Sequence, residues 1–179
     1  MIFWGILILG IIFVVSTYNE LVRINNTVKE AFATMDVYLK KRWDLVPNLV
    51  NVVKGYAKHE KNTLEEVIKL RNTTYPNMSN NEKIEVNEQL SRGINKIIAL
   101  CESYPDLKAN ENFKELSSQL SSIEDDIANS RRYYNGAVRL FNSKLEIFPN
   151  NILVKLWKFP PAAMFEISSD ERNNVNIDF

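Results

Sequence analysis

A chain of 179 residues is long enough for one domain plus an anchor, and its 22 lysines and arginines balance 22 acidic residues. That balance argues against a dedicated nucleic-acid surface, so no nucleic-acid partner is expected. A single cysteine, Cys101, excludes an internal disulfide, and scarce glycine argues against tight hairpins and phosphate-cradling loops.

Met1 to Asn19 carries no charged side chain, and the first charge is Glu20. A spanning helix needs about 20 mostly apolar residues, and a charge in the bilayer core is costly, so residues 1–19 read as a transmembrane helix. Trp4 and Tyr18 fall near its ends, where amphipathic rings suit the headgroup level. Gly5 and Gly10 make a GxxxxG spacing, which does not support a GxxxG dimer motif. A signal peptide is the first rival, but no Lys or Arg precedes the apolar run, and Val14-Val15-Ser16-Thr17 makes a poor cleavage site. The second rival, a buried helix of a soluble bundle, would need a polar face. Arg23 and Lys29 follow the span and none precedes it, so the positive-inside bias places the water-facing part in the cytoplasm of a single-pass membrane protein. Two basic residues leave the opposite orientation open.

The expected fold is all-α: the span, then an antiparallel four-helix bundle over residues 20–149, then a C-terminal segment, 150–179. Leu21, Ile24, Val28, Phe32, Met35 and Leu39 recur at helical intervals, and no proline or glycine separates Ile11 from Trp43. The span is thus expected to run directly into bundle helix one, about 20–43. Pro47 cannot donate its backbone hydrogen bond, and Asp44 suits a cap, so helix two is expected over 45–74. One long helix kinked at Pro47 is the alternative. Gly55 suggests a close helix approach there. The polar turn around Pro76 leads to helix three, 82–103, with Asn80 or Asn81 as cap. The stretch from Tyr104 to Asn110 reads as a turn, and Asn110 as the cap of helix four, 111–148, which Pro149 stops. Residues near 150–159 suit a short helix, and Pro160-Pro161 ends regular structure. Met164, Phe165 and Ile167 suit a packed extended segment, and 168–179 a frayed end. No period-two run suggests a sheet.

Nothing composes a recognisable catalytic site. His59-Glu60 lacks the second histidine of a helical zinc motif, and Cys101 lies on an apolar face, where a packing role is expected. No cofactor or metal is expected. The unusual set is polar: Arg42, Asp44, Asn48, Glu60, Arg71, Glu124, Arg131 and Asn135 sit among stripe residues. If buried, each charge needs a partner, so these eight are candidates for a network that fixes helix register or binds a polar ligand. The segment Trp157 to Phe165, with Lys155 and Lys158 nearby, suits packing on the bundle end or contact with a partner or membrane surface.

Ordered landmarks complete the reading. They are Tyr18-Asn19-x-Leu21-Val22, the run Arg42 to Val50, the run Lys54 to Glu60, and Tyr104-Pro105-Asp106-Leu107-Lys108-Ala109-Asn110. Next come Glu124-x-x-Ile127-x-x-x-Arg131-x-x-Tyr134-Asn135, Phe141-Asn142 and Phe148-Pro149. From Tyr18 to about Glu166 the sequence resembles the LemA family. The resemblance implies a bacterial, membrane-tethered four-helix bundle, split at Asp44-Leu45-Val46-Pro47, with no established enzymatic activity and no catalytic residues to transfer. Some relatives are linked to magnetosome formation, an association that needs its own context. Relatives carry a glycine before the aromatic near Phe159, where this chain has Lys158. The function expected is a membrane-anchored interaction or scaffolding module, its partners the lipid bilayer and an unknown protein or a second copy. The alternative is a ligand- or metal-binding sensor built on the polar groups between helices.

Overall fold

A computed structural model describes residues 2–57, 60–72 and 75–165. In chain order the helices are α1 (Ile2–Tyr56), α2 (Lys61–Arg71), α3 (Asn80–Cys101), α4 (Pro105–Ala109), α5 (Glu111–Glu146) and α6 (Asn150–Trp157), with one 3-10 turn at Tyr75–Asn77. Among the described residues there is no strand. The chain divides into two compact units, residues 2–35 with 130–165, and residues 36–129.

The first unit carries the apolar N-terminal segment. Its 18-residue window has a mean hydropathy of 2.0 and is only 6% buried, so this helix is long and apolar enough to cross a membrane. A soluble core helix would bury those side chains, whereas Ile2, Phe3, Leu9 and Ile11 all stand exposed. The same helix continues without a break past Glu20, and its periodicity then acquires a buried face: Leu21, Val28, Phe32 and Met35. In this unit α5 contributes Tyr134, Val138, Phe141 and Leu145 to the core, with the Phe32 and Tyr134 rings 5.6 Å apart, edge to face.

The expected packed segment after Pro160-Pro161 exists, and α5 holds it by a repeated device. Asn142 donates from Nδ2 to the Ala162 carbonyl and accepts the Ala162 N–H, both at 2.9 Å. Asn135 does the same with both backbone groups of Phe165 at 2.8 Å. The two asparagines are seven residues apart, two turns on one face of α5, so they clip an extended backbone at two points. Tyr134 Oη donates to the Ala163 carbonyl at 2.8 Å between them. Phe165 is buried at the end of the clipped segment. Ile167 and the end expected to fray lie outside the described residues.

The second unit corrects the helix boundaries. The expected break at Asp44-Leu45-Val46-Pro47 is absent: α1 runs through Pro47 to Tyr56, and α2 is a separate helix of 11 residues. Proline inside a helix costs about 3 kcal/mol. Trp43, Val46, Leu49, Val50 and Val53 around it are all at most 4% exposed. At roughly 1.5–3 kcal/mol for each fully buried side chain, their burial outweighs one missing hydrogen bond. Asp44 therefore caps nothing and pairs with Lys40 on the helix surface.

Smaller differences follow the same local logic. Ser79, rather than Asn80 or Asn81, caps α3 in a capping box with Glu82, whose carboxylate accepts from the Ser79 N–H at 2.7 Å. The expected turn at 104–110 winds into the five-residue α4, with Pro105 in its first turn. Asn110 does cap α5, accepting the Phe113 N–H at 3.0 Å.

The close approach expected at Gly55 occurs at Gly93 instead. A Cβ at Gly55 would meet nothing within 4 Å, whereas one at Gly93 would lie 2.7 Å from Val67 Cγ2 on α2. Alanine at 93 gains helix propensity worth about 1 kcal/mol but forces a stiff β-branched neighbour aside, which costs roughly 1–3 kcal/mol. Gly93→Ala is therefore expected to lower stability in urea denaturation. Placed in a Val67→Ala background, the same substitution should raise it. Additive effects of the two changes would contradict this contact.

Candidate functional site

The polar centre of the second unit is built on Arg42. This residue occupies a buried position of α1 beside Trp43 and is 2% exposed. Its Nη1 donates to Ser91 Oγ and to Glu124 Oε2, each at 2.6 Å. Its Nη2 donates to the Asn87 carbonyl at 3.0 Å and to Asn87 Oδ1 at 3.2 Å. One guanidinium thus joins α1 to α3 and to the early turns of α5, using the fixed fork geometry that lysine lacks.

The network extends from Asn87, which is fully buried. Its Nδ2 donates to the Lys83 carbonyl at 2.9 Å and to Tyr75 Oη at 3.4 Å. Tyr75 Oη in turn donates to Asp36 Oδ1 at 2.7 Å, and Lys83 Nζ contacts Asp36 Oδ2 at 2.7 Å. Burial first, then the hydrogen bond and negative charge of Asp36, raise the Tyr75 phenol above its ordinary pKa. Its ring packs 4.9 Å from that of Trp43 and lies under the Lys83 ammonium. Both cations and both carboxylates of the network are paired, as charges removed from water require.

A cavity of about 310 Å³ opens beside this centre. Ser91, Asn95, Ser117, Ser121, Arg42 and Glu124 supply its polar wall, and Ile94, Ile98 and Leu120 its apolar one. A separate open groove of about 400 Å³ runs past Asn48, Asn51, Asn112, Glu115 and Gln119.

The eight polar candidates therefore separate. Arg42 and Glu124 meet. Asn48 lines the other groove, Asp44 pairs with Lys40, and Glu60 accepts from Tyr104 Oη at 3.5 Å. Arg71 is exposed at the end of α2. In the first unit Asn135 clips Phe165, and the Arg131 guanidinium lies 5.2 Å from the Phe165 ring centre. Asp36, Tyr75, Lys83, Asn87 and Ser91 were not among the candidates. Asn87 was findable: it lies three residues after Ile84 and three before Leu90, on the apolar face of α3.

Cys101 is buried, with its Sγ 3.0 Å from the Ile97 carbonyl, and burial pushes its thiol pKa up to about 11. It is a neutral packing thiol at physiological pH. His59 lies outside the described residues. Among the described residues no group of three His, Cys, Asp or Glu side chains is placed to hold a metal ion.

Comparison with known proteins gives the same frame. The model of the LemA family matches residues 31–179. The chain belongs to the LemA family. It is 28% identical over 174 residues to Protein LemA of Metamycoplasma hominis, a match covering 96% of this chain and 80% of that protein. It is 29% identical over 73 residues to Magnetosome protein MamQ 1 and to Magnetosome protein MamQ 2 of Paramagnetospirillum magneticum, covering 41% of this chain and 27% of each. LemA is not a known enzyme family.

One departure from the LemA pattern has a physical reading. Lys158, standing where a glycine is expected, ends α6 in the left-handed region with φ 52° and ψ 46°. A side chain in that conformation costs about 1–2 kcal/mol, which glycine avoids. Lys158→Gly is expected to stabilise the chain by about 1 kcal/mol, read as a higher urea midpoint. An unchanged or lower midpoint would count against a strained cap.

Proposed function

We propose that this LemA protein is a membrane-anchored interaction or scaffolding module without catalytic activity. Its water-facing part is an antiparallel four-helix bundle, and its partners are the bilayer and either another protein or a second copy. The observation that carries this reading is α1 itself, an exposed apolar segment that continues as one helix into a buried, periodic face. A helix unbroken across the membrane boundary presents its partner surface at a fixed orientation to the bilayer, as a scaffold requires. The basic residues Arg23 and Lys29 beyond the span support a cytoplasmic water side. The buried Arg42 network then sets helix register, the best-attested use of buried polar groups. Crosslinking in native membranes, followed by identification of the adducts, tests the proposal. Reproducible adducts with one protein or with a second copy are expected, and recovery of neither would sink it.

The cavity beside Arg42 favours a second reading, a sensor for a small polar ligand. That reading expects ligands carrying a carboxylate to raise the thermal midpoint of the wild type but not of Ser91→Ala with Ser121→Ala. The absence of any such shift across a panel of small acids would remove it.

A further inference from the structure

The end of α5 and the whole of α6 leave an apolar surface uncovered. Ile147, Phe148, Ile152 and Leu156 are 54%, 74%, 56% and 75% exposed. On α6, Ile152 and Leu156 are four residues apart and share a face, and Lys155 flanks it. The opposite side of α6 turns toward α1: the Trp157 ring lies 5.2 Å from Tyr18, and Phe159 lies 6.1 Å from Tyr18.

Tyr18 marks a definite level, because the uncharged stretch ends there and Glu20 is the first charge. Two pairs show where α5 leads. Tyr134 meets Phe32, and ten residues later Lys144 meets Glu20 at 2.8 Å. As α5 advances, its partners on α1 move back toward the span. Ile147 and Phe148 follow Lys144 by less than one turn and so lie at about the level where the apolar segment begins. From Ile147 to Phe165 the sequence has no acidic residue and two basic ones, Lys155 and Lys158. Exposed apolar side chains, a tryptophan and a tyrosine at one level, and lysines without acids are the composition of an interfacial helix.

We propose that residues 147–158 form a second lipid contact, with the turn at Ile147-Phe148 and the Ile152–Leu156 face of α6 lying in the headgroup layer beside the span. The occupant of this surface is the bilayer on the water-domain side of the membrane, and Lys155 and Lys158 favour anionic headgroups. The inference rests on α1 as the membrane span. Its consequence is a two-point attachment: a helix through the membrane and a foot on its surface, which together limit tilting of the water-facing domain.

The test uses the full chain reconstituted in vesicles of phosphatidylcholine with phosphatidylglycerol. Nitroxide labels are placed singly at Phe13→Cys, Ile152→Cys, Leu156→Cys and Asp125→Cys, and collisions with oxygen and with a neutral nickel chelate are compared. Cys101 is replaced by alanine throughout, and far-UV circular dichroism confirms that each labelled chain is folded. Positions 152 and 156 are expected to favour oxygen over the chelate, as position 13 does, while position 125 favours the chelate. Chelate access at 152 and 156, with oxygen access at 13, overturns the foot and leaves the anchor standing. Chelate access at 13 overturns the anchor and the foot with it. Low access of both reagents at 152 and 156 means that protein covers the surface, which also overturns the proposal. Two labelled positions four residues apart keep the outcome readable if one substitution disturbs folding.

Discussion

Arg42→Ala is expected to destabilise the chain by about 3–5 kcal/mol, the usual cost of removing one partner from a buried ion pair. The magnitude follows from what is left behind. Asn87 is fully buried and loses the donor that serves both its carbonyl and its Oδ1, and Ser91 loses its partner. Leaving buried acceptors unsatisfied costs about 1–3 kcal/mol each. Glu124 weighs less. Its side chain is 50% exposed, so water compensates for much of its loss, and Glu124→Gln is expected to cost about 1 kcal/mol or less. Arg42→Lys keeps the charge but cannot reach Asn87 and Glu124 with a rigid fork, and should fall between the two. Arg42→Met combined with Asn87→Leu removes both sides of the buried contact and is expected to recover much of the loss. Urea denaturation of the full chain in detergent micelles measures the series. If Arg42→Ala costs no more than Glu124→Gln, the network is a solvated surface pair and its role in helix register is lost.

The ordering Arg42 over Glu124 shows what could and could not be read in advance. Periodicity located the apolar faces: Leu21, Val28, Phe32, Met35 and Leu39 are all buried, as are Ile127, Tyr134, Val138 and Phe141 on α5. The ends of α3 and α5 fall within two residues of their expected positions because caps and prolines act locally. Pro47 failed as a stop signal because its cost is local while the burial around it is tertiary, and no local rule weighs the two. The polar set failed in a similar way. Arg42 and Glu124 are 82 residues apart, and only the packing of α1, α3 and α5 selects them from eight candidates. Asn135 illustrates the opposite error: its polarity on a buried stripe was noticed, but its partner is the backbone of Phe165, which no side-chain pattern announces. Lys158 is a third case, where a missing glycine identified a left-handed position that helix periodicity alone does not mark.

Leu9→Arg is expected to abolish stable membrane integration, and it separates an anchor from a merely exposed apolar helix. Leu9 lies within the uncharged segment and is 67% exposed. Val37 lies further along the same helix, beyond the first charges, and is 55% exposed. In water the two substitutions would be equivalent, since each places a cation on an exposed helix surface, where changes stay within about 0.5 kcal/mol. In a bilayer they differ sharply. An arginine at the centre of a span costs about 2.5–3.5 kcal/mol on insertion scales, whereas one in the aqueous part costs nothing. At about 1.4 kcal/mol per tenfold, that shifts the insertion equilibrium by a factor on the order of 100 or more. Carbonate extraction of cell membranes should therefore release the Leu9→Arg protein and retain Val37→Arg with the wild type. A peptide tag fused ahead of Met1 should stay with the retained protein, because the segment acts as an anchor rather than a cleaved leader. Equal extraction of the two variants, or loss of the tag from the mature chain, would refute the anchor and with it the level assigned to Tyr18 and α6.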